Sequence, residues 1–547
     1  MLRFTIVSLL VSRGVVGAAL SVSNTLGDGM VLQRAPAAAV VWGFASPGVV
    51  VTTTLGGSVM ASKADAEGVW RQALPPQPAS EGGKEQAIEF TSAEGGAKLS
   101  VLFGEVYLCS GQSNMAYTAR SMAGMNNMSA EIAAADAPRY HDIRLFTVGQ
   151  GTVSATPLQQ LNTTFHNWTR ASAAVVGGTA WLEFSAICWL TGREIHDELN
   201  VPVGLVSSNW GGTAIQVWLP PAANEMCQAG NASGDRHNAM IAPYAVGPMQ
   251  MAGILWYQGE SNNGQGRYYS CVWPALVTAW RQIFAQASLW VGFVQISGYQ
   301  YGGASHPDPS ADVRQAQLAA LALPRVAVAT TVDTGDWSCI HPPDKQTPSH
   351  RLATAALDQV YGMKQFEAAH SPPLYAGQTL LPDAGDGITR IRVQLSRPAT
   401  TDVPPWATAP TTLGNMSVPR NACPIEIMPP FHNPQDCGYP RMYATAANGT
   451  AQVFNATAVL RNSGSVMELA APVPPGWEIR ASSYGRASWP MTIFFSATGV
   501  PVLPWFSALN ETRPWIIPPF AQADSAPVDL DDEQLSTKAY LGLNRAS

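Results

Sequence analysis

Between about residues 101 and 332, short apolar runs alternate with stretches of helical periodicity, and run after run breaks off in a polar or glycine-containing segment. No other feature restricts the fold as tightly. Parallel strands cannot be joined by tight turns and need crossovers, so this alternation predicts a parallel sheet with helices on both faces. Val101 to Cys109 reads as a strand that breaks at Ser110-Gly111. Ser185 to Asn200 sets Ile187, Leu190, Ile195 and Leu199 roughly along one helical face, and the strand Val203 to Val206 leads on to Trp210-Gly211-Gly212. Met251 to Tyr257, Leu289 to Ile296 and Val326 to Val332 are further strands, with helices over Tyr269 to Phe284 and Ala311 to Leu321 between them. Open α/β sheets bind their ligands at strand C-termini, where these polar breaks fall.

The flanks read differently. Residues 20–100 carry short β-like runs such as Val40-Val41-Trp42 and Val49-Val50-Val51-Thr52, punctuated by Ser46-Pro47-Gly48 and Gly56-Gly57, which predicts a small antiparallel β domain. An α/β domain is expected over 101–365, a second β-rich region over 366–523 and an acidic tail over 524–547. Only 13% of the residues are charged, whereas Gly and Pro number 48 and 42, which suits turn-rich β structure and disfavours coiled coils. The formal net charge of −7 offers no global positive field for nucleic acid or anionic lipid.

Arg3, the apolar run Phe4 to Val11 and the small residues Val16-Gly17-Ala18 fit a signal peptide over 1–19. No later segment reaches the roughly 18 apolar residues of a membrane span. Asn-x-Ser/Thr sequons begin at Asn127, Asn162, Asn167, Asn231, Asn415, Asn448, Asn455 and Asn510, where chance predicts about three. They suggest a glycoprotein of the secretory pathway, extracellular or lysosomal. Seven Cys are too few for a disulfide-built scaffold; Cys423 with Cys437 is the favoured local bridge, and one Cys must remain odd. Metal-type spacing is absent, so no metal site is expected.

Four segments could carry chemistry: Ser110-Gly111-Gln112-Ser113-Asn114-Met115, Trp210-Gly211-Gly212-Thr213, Trp256 to Asn262, and Ile340-His341-Pro342. A serine at a strand-to-helix turn projects its hydroxyl from the sheet edge, and backbone N–H groups there can stabilise an oxyanion. Gly211 and Gly212 allow close backbone approach, and Gln258 offers a side-chain amide. Singly, each has an ordinary explanation as a turn residue, a surface histidine, a buried amide or, for Glu260, a capping carboxylate. Their shared place at strand ends, in this order, shifts the balance toward catalysis.

These blocks, with Asp28-Gly29-Met30-Val31-Leu32-Gln33, Val41-Trp42-Gly43, Gly104 to Met115, Asn238-Ala239-Met240-Ile241, Val313-Arg314-Gln315-Ala316-Gln317 and Ile340 to Gln346, resemble those of the sialate O-acetylesterases in the Ser-Gly-Asn-His (SGNH) hydrolase superfamily. The likeness runs from roughly 22 to 520 and is weakest after 365. It implies a flavodoxin-like SGNH core with a parallel sheet, plus N-terminal and C-terminal β-rich modules. It also implies removal of O-acetyl groups from sialic acid through an acetyl-Ser113 intermediate, with His341 as general base, Gly212 (or Gly211) and Gln258 as oxyanion donors, and no cofactor. Met115 stands where the second Gly of a G-x-S-x-G elbow would be, which argues against the α/β-hydrolases.

Ser338 occupies the position where many superfamily members carry an acid three residues before the histidine. Asp336 is the favoured displaced triad acid; Asp333, or a dyad without an acid, is the alternative. Asn114, Glu260 and Arg314 are candidates for substrate contact or structural support, Arg314 as a cation for the sialic acid carboxylate or as a brace. An esterase acting on another acetylated polysaccharide such as xylan would use the same residues. An inactive glycan-binding protein is the reading from another class, and retention of both Ser113 and His341 argues against it.

Overall fold

The computed structural model describes residues 19–509 except 123–125, 180, 182, 228–232, 300–308, 337–338, 403–410, 414–415, 419–439 and 491. The signal peptide apart from residue 19, the acidic tail, the Cys423–Cys437 pair, Ser338 and the sequons at Asn231, Asn415 and Asn510 lie outside the described residues.

The central sheet uses strands β1 (Gly95–Gly111), β2 (Ile143–Val148), β3 (Thr164–Arg170), β4 (Val203–Asn209), β5 (Gly253–Tyr257), β6 (Trp290–Gln295) and β7 (Val326–Thr330). Their spatial order is β3-β2-β4-β1-β5-β6-β7. All neighbours are parallel except the edge strand β3, which runs antiparallel to β2. Along β1, Val106 and Leu108 enter one core while Tyr107 and Cys109 enter the other, as the two-residue period of a strand requires. Burial on both faces explains why these strands read as continuous apolar runs.

The helices that matter to the site are α1 (Ser113–Ala116), α2 (Ala186–Leu199), α3 (Gly266–Ile283), α4 (Pro309–Gln317) and α5 (Gln346–Gln359). Ser185 caps α2, its hydroxyl accepting the Cys188 N–H at 3.1 Å. A disulfide joins Cys188 of this helix to Cys109 of β1, and a second joins Cys227 to Cys271 of α3. Cys339 is the free cysteine among the described residues.

The β modules are less separate than a boundary at residue 100 suggests. β1 is one strand across it: its first half pairs antiparallel with Gln86–Ser92 and its second half is the centre of the parallel sheet. The C-terminal region forms two four-stranded sheets, over 375–471 and 441–508. It docks on α4, where Arg486 pairs with Asp312 at 2.6 Å and Gln315 exchanges hydrogen bonds with the Phe506 backbone.

Candidate active site

From β1 the chain travels outward to β2 and back to β4, then resumes on the other side with β5, so the sheet changes direction at β1. Ligands of open α/β sheets bind at such switch points, beyond the strand C-termini. Ser113 follows β1, Gly211 and Gly212 follow β4, and Gln258 follows β5. Gly111 ends β1 at φ +139°, where a Cβ would lie 2.1 Å from the Tyr257 carbonyl oxygen; only glycine lets β1 and β5 come this close.

Ser113 opens α1, and its side chain is partly exposed while its neighbours Gln112, Asn114, Met115 and Ala116 are buried. A Cβ at Gly211 would sit 3.5 Å from the Ser113 Cβ, whereas one at Gly212, where φ is +71°, would meet open space. The glycine turn therefore lies against the serine and opens toward solvent. α1 is only four residues long, so little helix dipole is available and oxyanion stabilisation rests on individual N–H groups.

His341 belongs to the loop before α5. Asn114 links that loop to the serine: its Nδ2 donates to the Ile340 carbonyl at 3.0 Å and to Glu260 Oε1 at 2.5 Å. The imidazole stacks on Tyr117, with centroids 5.7 Å apart and planes 14° apart, and meets the edge of Trp181 at 4.8 Å. Burial, reinforced by the nearby Lys345 ammonium, pushes His341 down to about 4. The imidazole is thus neutral, as a general base must be, in neutral and mildly acid solution.

The other expected site residues have partners within the fold. Gln258 is fully buried and spent on the fold: its Nε2 donates to Asn262 Oδ1, Gln112 Oε1 and the Thr213 carbonyl, and its Oε1 accepts from Tyr269. The amide nearest the serine is that of Gln112, whose Nε2 lies 3.5 Å from Ser113 Oγ while its Oε1 is held by Gln258 and the Ser261 N–H. Arg314 is also fully buried and donates to the carbonyls of Ile296, Ala487 and Ser488, so it braces α4 against the C-terminal region. Asp333 receives both arms of Arg351 at 2.7 and 2.8 Å, and Asp336 Oδ1 accepts the Cys339 N–H at 3.2 Å. Among the described residues no hydrogen bond joins either carboxylate to the His341 ring.

Two residues with no role expected from sequence stand at the centre: Gln112 and Lys345. Lys345 Nζ is buried and donates to Asn114 Oδ1 at 2.7 Å and to the Pro342 carbonyl at 2.8 Å. Burial pulls its ammonium down to about 7, against the opposing pull of Glu260, Asp344 and Cys339. Glu260 is pushed up by burial, while its bond from Asn114 and the Lys345 charge act the other way. No group of His, Cys, Asp and Glu suited to a metal ion occurs among the described residues.

A partly exposed serine at a sheet switch point, a neutral histidine on a loop tied to the next residue, Asn114, and a glycine turn are the equipment of an ester hydrolase. The family model described as carbohydrate esterase, sialic acid-specific acetylesterase, matches residues 103–356, and the chain is a carbohydrate esterase. It is 32% identical over 426 residues to the sialate O-acetylesterase of Rattus norvegicus, covering 65% of this chain and 76% of that one. The human sialate O-acetylesterase is 32% identical over 389 residues, covering 63% and 72%. This chain belongs to the sialate O-acetylesterase family. A solved carbohydrate acetylesterase from Xanthomonas citri superposes with a TM-score of 0.68 at 25% identity, over 89% of this chain and 99% of that one.

Proposed function

We propose that this protein removes O-acetyl groups from sialic acids by way of an acetyl-Ser113 intermediate. His341 takes the Ser113 proton as the hydroxyl attacks the acetyl carbonyl, returns it to the departing sugar oxygen, and then activates water for deacylation. The tetrahedral oxyanion is met by N–H groups of the Gly211–Gly212 turn and by the Gln112 amide, which Gln258 holds from behind. The observation that carries this reading is the Asn114–Ile340 hydrogen bond, which ties the residue after the serine to the residue before the histidine. The strand order around β1 supports the SGNH-type, flavodoxin-like core, and the exposed Trp181 beside His341 offers an apolar face to a sugar ring.

The reactive pair acts as a dyad whose histidine is oriented by stacking and by its loop, with Asp336 fixing that loop through the Cys339 N–H. Secretion and glycosylation are supported by the five described sequon asparagines, Asn127, Asn162, Asn167, Asn448 and Asn455, all of which are exposed. Two disulfides and the absence, among the described residues, of a helix long and apolar enough to cross a membrane fit the same route. Acetate release from 9-O-acetylated sialic acid should exceed release from acetyl-xylan. The reverse order would move the substrate to a plant-type polysaccharide while leaving the chemistry in place.

A further inference from the structure

A lysine is rarely buried in full, because an ammonium taken from water must be paired or lose its charge. Lys345 is buried in full behind the candidate site, and the acyl-transfer steps give it no task. Its bonds are directed at the histidine loop. It donates straight to the carbonyl of Pro342, and through Asn114 it is coupled to the carbonyl of Ile340, so the backbone on each side of His341 ends on one network. Its ammonium also lies 5.0 Å from the centre of the Tyr117 ring, the same ring that stacks on the imidazole, and 5.5 Å from that of Tyr257. Glu260, bonded to the other end of the Asn114 amide, supplies the counter-charge from the loop after β5.

We propose that Lys345 is a positioning residue of the esterase reaction, which clamps the histidine loop to the serine through Asn114 and, lying against the same Tyr117 ring as the imidazole, disfavours a charge on His341. This inference rests on His341 being the base. The groups that face Lys345 are Glu260, Tyr117 and Tyr257 from neighbouring segments, with His341, Asp344 and Cys339 from its own loop. A positive charge near the imidazole opposes formation of imidazolium, so the base stays neutral in acid solution, and the imidazolium formed during attack gives its proton more readily to the leaving sugar oxygen.

The test is a pair of substitutions followed by pH–rate profiles, with thermal melts to establish folding. Lys345→Met should lower kcat about 10²-fold with KM changed little, because a loop displaced by about an ångström misplaces the base. Its acid limb in kcat/KM should move up toward the ordinary histidine range. Lys345→Gln, which keeps a donor but no charge, should recover part of kcat while keeping the shifted limb. Wild-type kcat and an unmoved limb in Lys345→Met would overturn the proposal, as would a loss of activity that follows the melting temperature with the limb unmoved. If neither variant folds, the wild-type profile decides, since an acid limb at the ordinary histidine value would exclude any charge effect of Lys345. His341→Ala, assayed in parallel, separates the two claims: activity surviving there removes the base assignment itself, whereas an inactive His341→Ala beside a wild-type-like Lys345→Met removes only the clamp.

Discussion

The side chains that give this site its character are those that leave Ser113 and His341 free to react. His341 is neutral down to about pH 4, so kcat/KM should stay nearly level from neutrality to about pH 5 and fall only below it. The sign follows from the direction of the shift: a lowered imidazole pKa extends the range of the uncharged base toward acid. A limb near the unshifted histidine value would mean that the ring is more hydrated than its burial implies. Gln112 and Gln258 can be told apart in the same way. Gln112→Ala should cost about 10²-fold in turnover even in the folded fraction, whereas Gln258→Ala should act mainly by lowering the melting temperature, since it takes one buried hydrogen bond from each of Gln112, Asn262 and Tyr269. Ser113 and the two glycines could be singled out because they follow predicted strands, and His341 because its block resembles the family's histidine block. Lys345 was not, since its role depends on Asn114, 231 positions away in the chain. For Arg314 and Gln258 the sequence shows that a guanidinium or an amide is present and conceals the carbonyl and amide acceptors that each meets in the fold.

At the scale of elements, the loop between β7 and α5 is held at its root by the buried pair of Asp333 with Arg351. Breaking one member of such a pair strands the other charge, so Asp333→Asn should destabilise the fold by about 3 kcal/mol or more in denaturant unfolding. Asp336→Asn, by contrast, should keep turnover within about tenfold of wild type, because its described bond is to the Cys339 N–H and, among the described residues, no hydrogen bond joins it to the His341 ring. A loss of 10²-fold or more, with folding intact, would restore Asp336 as the triad acid. Strands β1, β4, β5, β6 and β7 and helices α2, α3 and α4 follow from apolar runs and their polar breaks. β2 and β3 did not stand out, because Arg144 and Thr147 interrupt the apolar run of Ile143–Val148 and β3 has polar residues on its exposed edge face. α5 escaped because it carries Pro348 in its first turn and mostly small or polar residues beyond.

The whole molecule is joined across its modules by long-range ties that no local pattern announces. The Cys109–Cys188 bridge closes a span of 79 residues and fastens the central strand to α2; on the chain-entropy model such a loop contributes about 4 kcal/mol. Arg314, Arg486 and Gln315 fix the C-terminal sheets to α4, so Arg314→Ala should lower the melting temperature while the folded fraction keeps its KM for a sialic acid substrate. A large rise in KM would instead make Arg314 the contact for the substrate carboxylate. The central claim is that this sheet exists to present Ser113 as an acyl acceptor. It is tested most directly by comparing acetate release from O-acetylated sialic acid by wild type and Ser113→Ala, with thermal melts alongside. Loss of at least about 10³-fold in turnover at an unchanged melting temperature is predicted; wild-type-like release by the alanine variant would contradict the account.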